Sequence, residues 1–511
     1  MKTGFFPLSL RNVTLAGGAS AARPRAMALR FTRRGFAATT AVTLGTSVAG
    51  RDVVAQPASK EAGQTSRFPR EFRWGTATSS YQVEGAVRED GRGVSIWDTF
   101  SLMPGKINDG SNGSVSVDHY HRYKEDVAQM KALGTTVYRF SIAWPRVFPE
   151  GHGAANSKGL AFYDRLVDEL LANGIEPFAT LYHWDLPQAL QDRGGWESRD
   201  TAEAFASYAG HVAARLSDRV SHFFTLNEML TFVELGYGTA VFAPGLSLPP
   251  ARLSQVRHHA VLAHGLAVQA IRASGRPGTK VGPAENITVA VPAIETPDNV
   301  RAAERATREL NAPYLTVMLE GRYTDAYLAA AGADAPRFTD AELKAIASPV
   351  DFVGLNVYTP SQYVQASDTA AGFATLPFPA SFPHMASPWL KIGPEALYWA
   401  PRHAAKLWNV KDIYITENGA SAADQPAADG MVYDTDRVMY LRNYLAQLQR
   451  ATAEGVPVRG YFLWSLLDNF EWADGYATRF GLIHVDYATQ KRTPKLSASF
   501  YREVIARNAV V

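Results

Sequence analysis

The chain has 511 residues with 46% apolar content, enough to bury one large core or two ordinary ones. It has no cysteine, which excludes disulfides, thiolate metal sites and cysteine nucleophiles. The net charge of +2 hides an asymmetry: the first 56 residues hold eight Lys/Arg and one acid, so the remainder is acidic by about five charges and lacks the basic stripe of a nucleic-acid binder.

The N-terminus reads as a targeting segment. Thr32-Arg33-Arg34-Gly35-Phe36 precedes a weakly apolar stretch, Ala37–Gly50, and then the small-residue site Val53-Val54-Ala55. This is the pattern of a twin-arginine export signal, too short and interrupted for a membrane span. Residues 1–55 are therefore expected to be a signal, with Met27 as an alternative start to Met1, and residues 56–67 a flexible linker. The expected location is periplasmic or secreted. The expected partners are the twin-arginine export machinery and a small sugar substrate, with no membrane anchor and no nucleic acid.

From Phe68 a unit recurs: a short run rich in apolar, β-branched or aromatic residues, then a helical stretch. Eight strands are expected, over Phe72–Gln82, Thr136–Trp144, Glu176–Trp184, Ser221–Glu228, Lys280–Ile287, Asp351–Tyr358, Ile413–Gly419 and Arg459–Leu466. Between them lie helical patterns such as Tyr120–Leu133 (with Asp118 as N-cap), Leu160–Asn173, Thr201–Leu216, Ser254–Ala273 and Arg437–Ala453. Such alternation over residues 68–511 fits a single α/β domain, a (β/α)8 TIM barrel with loop insertions. A doubly wound sheet usually carries a glycine-rich phosphate turn, and neither G-x-G-x-x-G nor a P-loop is present.

Each expected strand starts apolar and ends in side chains able to do chemistry. Those ends are Gln82; Arg139 and Trp144; His183 and Trp184; Asn227 and Glu228; Asn356 and Tyr358; Glu417; and Trp464, followed by Glu471 and Trp472. In a barrel they converge on the C-terminal face, where active sites are built. Two Glu residues there, Glu228 and Glu417, suit a double displacement on a sugar, in which carboxyls roughly 5–5.5 Å apart act as acid and nucleophile. Arg139 is a candidate to hold the nucleophile ionised. Trp184, Trp464 and Trp472 offer flat faces to a sugar ring, and Gln82, His183, Asn227 and Glu471 offer hydrogen bonds to its hydroxyls. His258, His259 and His264 lack a metal-site pattern and read as packing or capping residues, and Asp109–Ser114 reads as a loop rather than a calcium site.

The motifs that carry these residues stand in one order. They are Phe72-Arg-Trp-Gly-Thr-Ala-Thr-Ser-Ser-Tyr-Gln-Val-Glu-Gly-Ala86, Tyr138-Arg-Phe-Ser-Ile-Ala-Trp-Pro-Arg146, Leu181-Tyr-His-Trp-Asp-Leu-Pro187 and Thr225-Leu-Asn-Glu228. Then follow Asp351-Phe-Val-Gly-Leu-Asn-Val-Tyr358, Ile415-Thr-Glu-Asn-Gly419, Trp464-Ser-Leu-Leu-Asp-Asn-Phe-Glu-Trp472 and Arg479-Phe-Gly-Leu482. The stretch from Phe68 to Tyr501 thus resembles glycoside hydrolase family 1, the β-glucosidase family. The resemblance implies a retaining β-glycosidase with Glu228 as acid/base, Glu417 as nucleophile, Gln82, His183, Asn227, Glu471 and Trp472 around the sugar, Asn356 and Tyr358 near the nucleophile, and no metal or cofactor. A transglycosidase, or a non-catalytic sugar-binding protein on the same fold, is the alternative.

Two departures stand out. The family's Thr-Leu-Asn-Glu-Pro ends here in Met229, which implies a local loop difference. Ser361–Trp389, with Phe373, Phe378 and Phe382, matches no family pattern and is assigned to the side of the leaving group. Family members that cleave 6-phosphoglycosides place other residues at Glu471 and Trp472. An ionised Glu471 is therefore expected to reject phosphate and to select a free sugar.

Overall fold

The computed structural model describes residues 67–511. The signal segment and all but the last residue of the linker lie outside the described residues. Eight parallel strands close into a barrel: β1 (Arg73–Ala77), β2 (Val137–Ser141), β3 (Glu176–Tyr182), β4 (His222–Asn227), β5 (Lys280–Asn286), β6 (Val353–Asn356), β7 (Ile413–Asn418) and β8 (Val458–Trp464). Each pairs with its sequence neighbours, and β8 returns to β1 with Ala77 beside Trp464. The strands are buried almost throughout, which is why they read as continuous apolar runs rather than alternating ones.

Among the described residues eight helices have twelve residues or more: His119–Leu133, Ser157–Ala172, Arg199–Leu216, Pro250–Ser274, Pro297–Leu310, Ala396–Leu407, Thr435–Ala453 and Leu496–Arg507. Helix starts differ from expectation where local chemistry sets them. The Ser198 side chain accepts the Asp200 amide, and Pro250 takes the first helical position, where its missing N–H costs nothing. Asp118 does occupy the N-cap position of the first, but its backbone is left-handed and its side chain makes no cap bond. Its carboxylate meets His121 at 2.6 Å instead. The first strand is shorter than expected. It stops at Ala77, and the chain turns into a one-turn helix, Ser80–Val83, that carries Gln82.

Two inserted features have no counterpart in the repeating unit. A small sheet joins Ala290–Pro292, Gln362–Ala366 and Phe373–Leu376. The hairpin Ile483–Val485/Arg492–Pro494 follows β8. The inner barrel is plugged by an aromatic layer in which His222 stacks on Phe178 at 4.0 Å and Phe178, Phe352 and Phe462 surround Tyr414. The two ends of the described chain meet: Phe68 N–H donates to Asn508 O (2.9 Å), Asn508 Nδ2 returns to Phe68 O (2.9 Å), and Trp74 Nε1, at the start of β1, reaches Asn508 Oδ1 (2.9 Å). Among the described residues no helix is long and apolar enough to cross a membrane.

Candidate active site

Above the aromatic plug, Arg139 lies fully buried at the middle of β2, its guanidinium 5.2 Å from the centre of the Phe224 ring. A guanidinium carries only donors, in a fixed fork. Here Nε goes to Thr180 Oγ1 (3.0 Å), Nη1 to Glu417 Oε1 (2.7 Å) and Thr416 O (3.1 Å), and Nη2 to Asn227 Oδ1 (2.6 Å). Four strands, β2, β3, β4 and β7, are thereby joined at one cation. Glu417, from β7, also accepts from Tyr358 Oη (2.8 Å). Gly419 explains the glycine of its motif, because a Cβ there would lie 1.7 Å from the Trp464 carbonyl.

Glu228 follows β4 in a left-handed conformation (φ 49°), an uncommon state for a residue with a side chain. Asn356 Nδ2 donates to its Oε1 and Thr231 Oγ1 to its Oε2, both at 2.7 Å. Asn356 is itself set by Thr416, whose hydroxyl donates to Asn356 Oδ1 (2.6 Å). The two glutamates are thus bridged by Asn356, Asn227 and Arg139.

Their environments differ. Burial pushes Glu228 up to about 7, and the Glu417 charge pushes the same way, against the bonds from Asn356 and Thr231. Burial raises Glu417 too, but the charge and hydrogen bond of Arg139 and the Tyr358 hydroxyl oppose it. Glu417 has a cation in contact and Glu228 has none. One carboxyl is built to hold charge and the other to hold a proton.

The polar network also fixes the His183 tautomer. Arg139 can only donate, so the Asn227 atom it reaches is the oxygen. The Asn227 amide nitrogen then faces His183 Nε2 at 3.1 Å, which must accept. Burial and the Arg139 charge keep the ring neutral, and its proton sits on Nδ1. Among the described residues Nδ1 is buried without a partner.

The aromatic residues form a wall. Trp472 lies 4.4 Å from Trp184, and His183 is roughly parallel to both Trp464 (5.6 Å) and Trp472 (5.9 Å). Trp184 is committed to the wall itself, since its indole N–H donates to Asn227 O (2.9 Å). Trp184 and Trp472, like Glu228, have left-handed backbones. Such conformations cost of order 1–3 kcal/mol each and gather at functional sites. Gln82 Nε2 reaches Asn469 Oδ1, Phe470 O and Glu471 Oε2.

The surroundings of Glu471 oppose the expected ionised state. Burial, then the carboxylates Asp474, Glu417 and Glu228, lift it well above the usual carboxylate range. Any rejection of phosphate therefore comes from an acidic cluster rather than from one fixed charge.

Trp144 stands apart from the other strand-end residues: its ring stacks on Tyr208 and its N–H caps Gly151 O. The three helical histidines bond to protein groups, His258 to Tyr323, His259 to Trp196 O and His264 to Thr225. Asp109 accepts from the Ser111 amide two residues on and from the amide of Tyr476, in the loop after β8. Thr231, Thr416, Asn469, Glu285 and Asn286 belong to the network and were not singled out from sequence. The one signal available was their position, at or just beyond strand ends.

Two carboxyl groups of unequal proton affinity at the mouth of a closed barrel, beside an aromatic wall, define a glycosidase. The profile of glycosyl hydrolase family 1 matches residues 64–510, and the chain belongs to that family. It is 42% identical over 447 residues to a 1,4-beta-D-glucan glucohydrolase of Thermotoga neapolitana, covering 87% of this chain and 99% of that one. It is 43% identical over 450 residues to beta-glucosidase A of Acetivibrio thermocellus, covering 86% and 98%. The solved family 1 β-glucosidase of Thermotoga maritima superposes with a TM-score of 0.80 at 40% identity, covering 88% of this chain and 100% of that one. The same enzyme in complex with glucoimidazole gives 0.79.

Proposed function

We propose that the protein is a retaining β-glucosidase that releases terminal, unphosphorylated β-D-glycosyl units. In this reading Glu417 attacks the anomeric carbon while Glu228 gives its proton to the departing oxygen, breaking the glycosidic bond and leaving the sugar esterified to Glu417. Glu228, now ionised, takes a proton from water, which attacks the same carbon and frees Glu417. The carrying observation is the Arg139–Glu417 contact at 2.7 Å beside a Glu228 with no cation. His183, together with Gln82, Asn227, Glu471, Trp464 and Trp472, is assigned to the sugar, with Trp184 backing Trp472. Asn356 and Tyr358 are assigned to orienting the two carboxyls. The names of the relatives support glucosides and short β-glucans as substrates, and hence a part in cellulose breakdown.

The test is chemical rescue. Glu417→Ala is expected to be inactive until azide is added, and then to form the α-glycosyl azide. Glu228→Gln is expected to slow an alkyl β-glucoside far more than a dinitrophenyl one, and azide should then give the β-glycosyl azide. The opposite pairing of products and variants would reverse the two roles.

Export through the twin-arginine route to the periplasm or medium is proposed from Arg33-Arg34, the weakly apolar run Ala37–Gly50 and the small-residue site that follows. Replacing both with Lys should trap the protein in the cytoplasm. Continued appearance outside it in a fractionation would remove the assignment.

A further inference from the structure

Glu285, near the end of β5, is a buried carboxylate with no part in the mechanism above. Its Oε2 accepts the Met229 N–H at 2.8 Å and its Oε1 the Leu230 N–H at 3.2 Å. These are the first two amides of the short helix Met229–Val233, which starts immediately after Glu228. The first amides of a helix have no acceptor within it, and both of these are taken by one carboxyl group. The two amide bonds oppose the burial that pushes Glu285 up to about 8. The next residue of β5 adds a second grip: Asn286 Nδ2 donates to Thr231 Oγ1 (2.8 Å), the hydroxyl that donates to Glu228. Between them, Glu285 and Asn286 hold the backbone just after Glu228 and its side chain.

The residue at 229 shows why a grip is needed. A proline at the first helical position fixes φ near −65° and brings no N–H, so it presets the turn and leaves one amide fewer to satisfy. Met229 does neither. It frees the backbone of a residue that follows a left-handed Glu228, and it adds a buried N–H that must find an acceptor. A proline ring carbon at 229 would stand where the Met229 N–H meets Glu285 Oε2, so the proline and the carboxylate are alternative solutions for the same turn.

We propose that Glu285 is a positioning residue for the proton donor: by capturing the amides of Met229 and Leu230 it does for the Glu228 turn what proline does in the family pattern. The proposal rests on the reading of Glu228 as acid/base. It predicts that loss of Glu285 harms proton donation, not the attack by Glu417.

The measurement is kcat/KM of the purified enzyme on a dinitrophenyl β-glucoside, whose leaving group departs unaided, and on an alkyl β-glucoside, which needs the proton. Glu285→Leu is expected to lower the alkyl substrate about tenfold more than the dinitrophenyl one. Adding Met229→Pro should bring that ratio back toward the parent value, because the orphaned amide is gone and the turn is preset. Glu285→Gln, which keeps an acceptor for one amide and turns an NH2 on the other, should show the same sense of change and decides the matter should the leucine variant not fold. Equal losses on both substrates, or a ratio that Met229→Pro leaves unmoved, would overturn the proposal. Glu228→Gln run alongside separates the two levels: no leaving-group dependence in that variant removes the acid/base reading itself, whatever Glu285 does.

Discussion

Glu228 and Glu417 are the same chemical group, and the protein makes them unlike through what it places in contact. With Glu228 pushed to about 7, the protonated form needed by an acid persists to neutral pH and is lost above it. The kcat/KM of an alkyl β-glucoside should therefore fall about tenfold per pH unit above neutrality. In Glu228→Gln that basic limb should vanish, and its persistence would assign the ionisation elsewhere. On the acid side, Arg139 opposes the burial that raises Glu417. Arg139→Met should move the acid limb up by about 1–3 pH units, narrowing the active range from below. An unmoved limb would show that Glu417 does not depend on the cation it touches. At Glu471 the surrounding carboxyls matter more than its own charge. A glucoside 6-phosphate, carrying about −2, should enter this cluster poorly, with kcat/KM about a hundredfold or more below that of the parent glucoside. Comparable values for the two substrates would show that this group of carboxyls does not bar a phosphate.

At the scale of elements, the barrel loops are tied behind the site by buried ion pairs. Lys495, just before the last helix, meets Asp424 at 2.5 Å and Asp468 at 2.6 Å, while Arg437 meets Asp424 and Asp434, and Arg479 meets Asp468. Loops after β7 and β8 are thus fastened to two helices, and the second of these loops carries Glu471. Removing one partner strands the others: Lys495→Met should cost about 3–5 kcal/mol, read in denaturant unfolding. A change below about 1 kcal/mol would show that the cluster is bypassed by water or rearrangement. The strand ends and the two glutamates were legible in the sequence because each sits in a local run whose apolar start and polar finish recur in seven of the eight units. What could not be read depends on register. Glu285 reaches the amides of Met229 and Leu230 across the β4–β5 pairing, which slips between Phe224 and Asn227. Gln82 was placed on a strand and lies on a helical turn, because nothing in its local run marks where β1 lets go. The sheet that takes up Gln362–Leu376 is not legible either, since its third strand, Ala290–Pro292, comes from 72 residues upstream by the numbering of their pairing.

For the whole molecule, a sheet closed from β8 to β1 exposes no barrel edge, so the barrel offers no strand for another chain to extend. The clasp of Phe68 and Asn508 closes the chain as well, on the face of the barrel where the strands begin. Beginning and end of the domain are therefore neighbours, and the order in which the eight units are written along the gene is largely a matter of where the ring is cut. A permuted gene would join the last described residues to residue 67 by a short linker and open the chain at Gly278, an exposed turn between helix Pro250–Ser274 and β5 where even an added Cβ would meet nothing. It should yield a folded enzyme with glucosidase activity near that of the parent. Loss of activity in a permutant that still folds would mean that the clasp, remote from the chemistry, sets the geometry of the mouth.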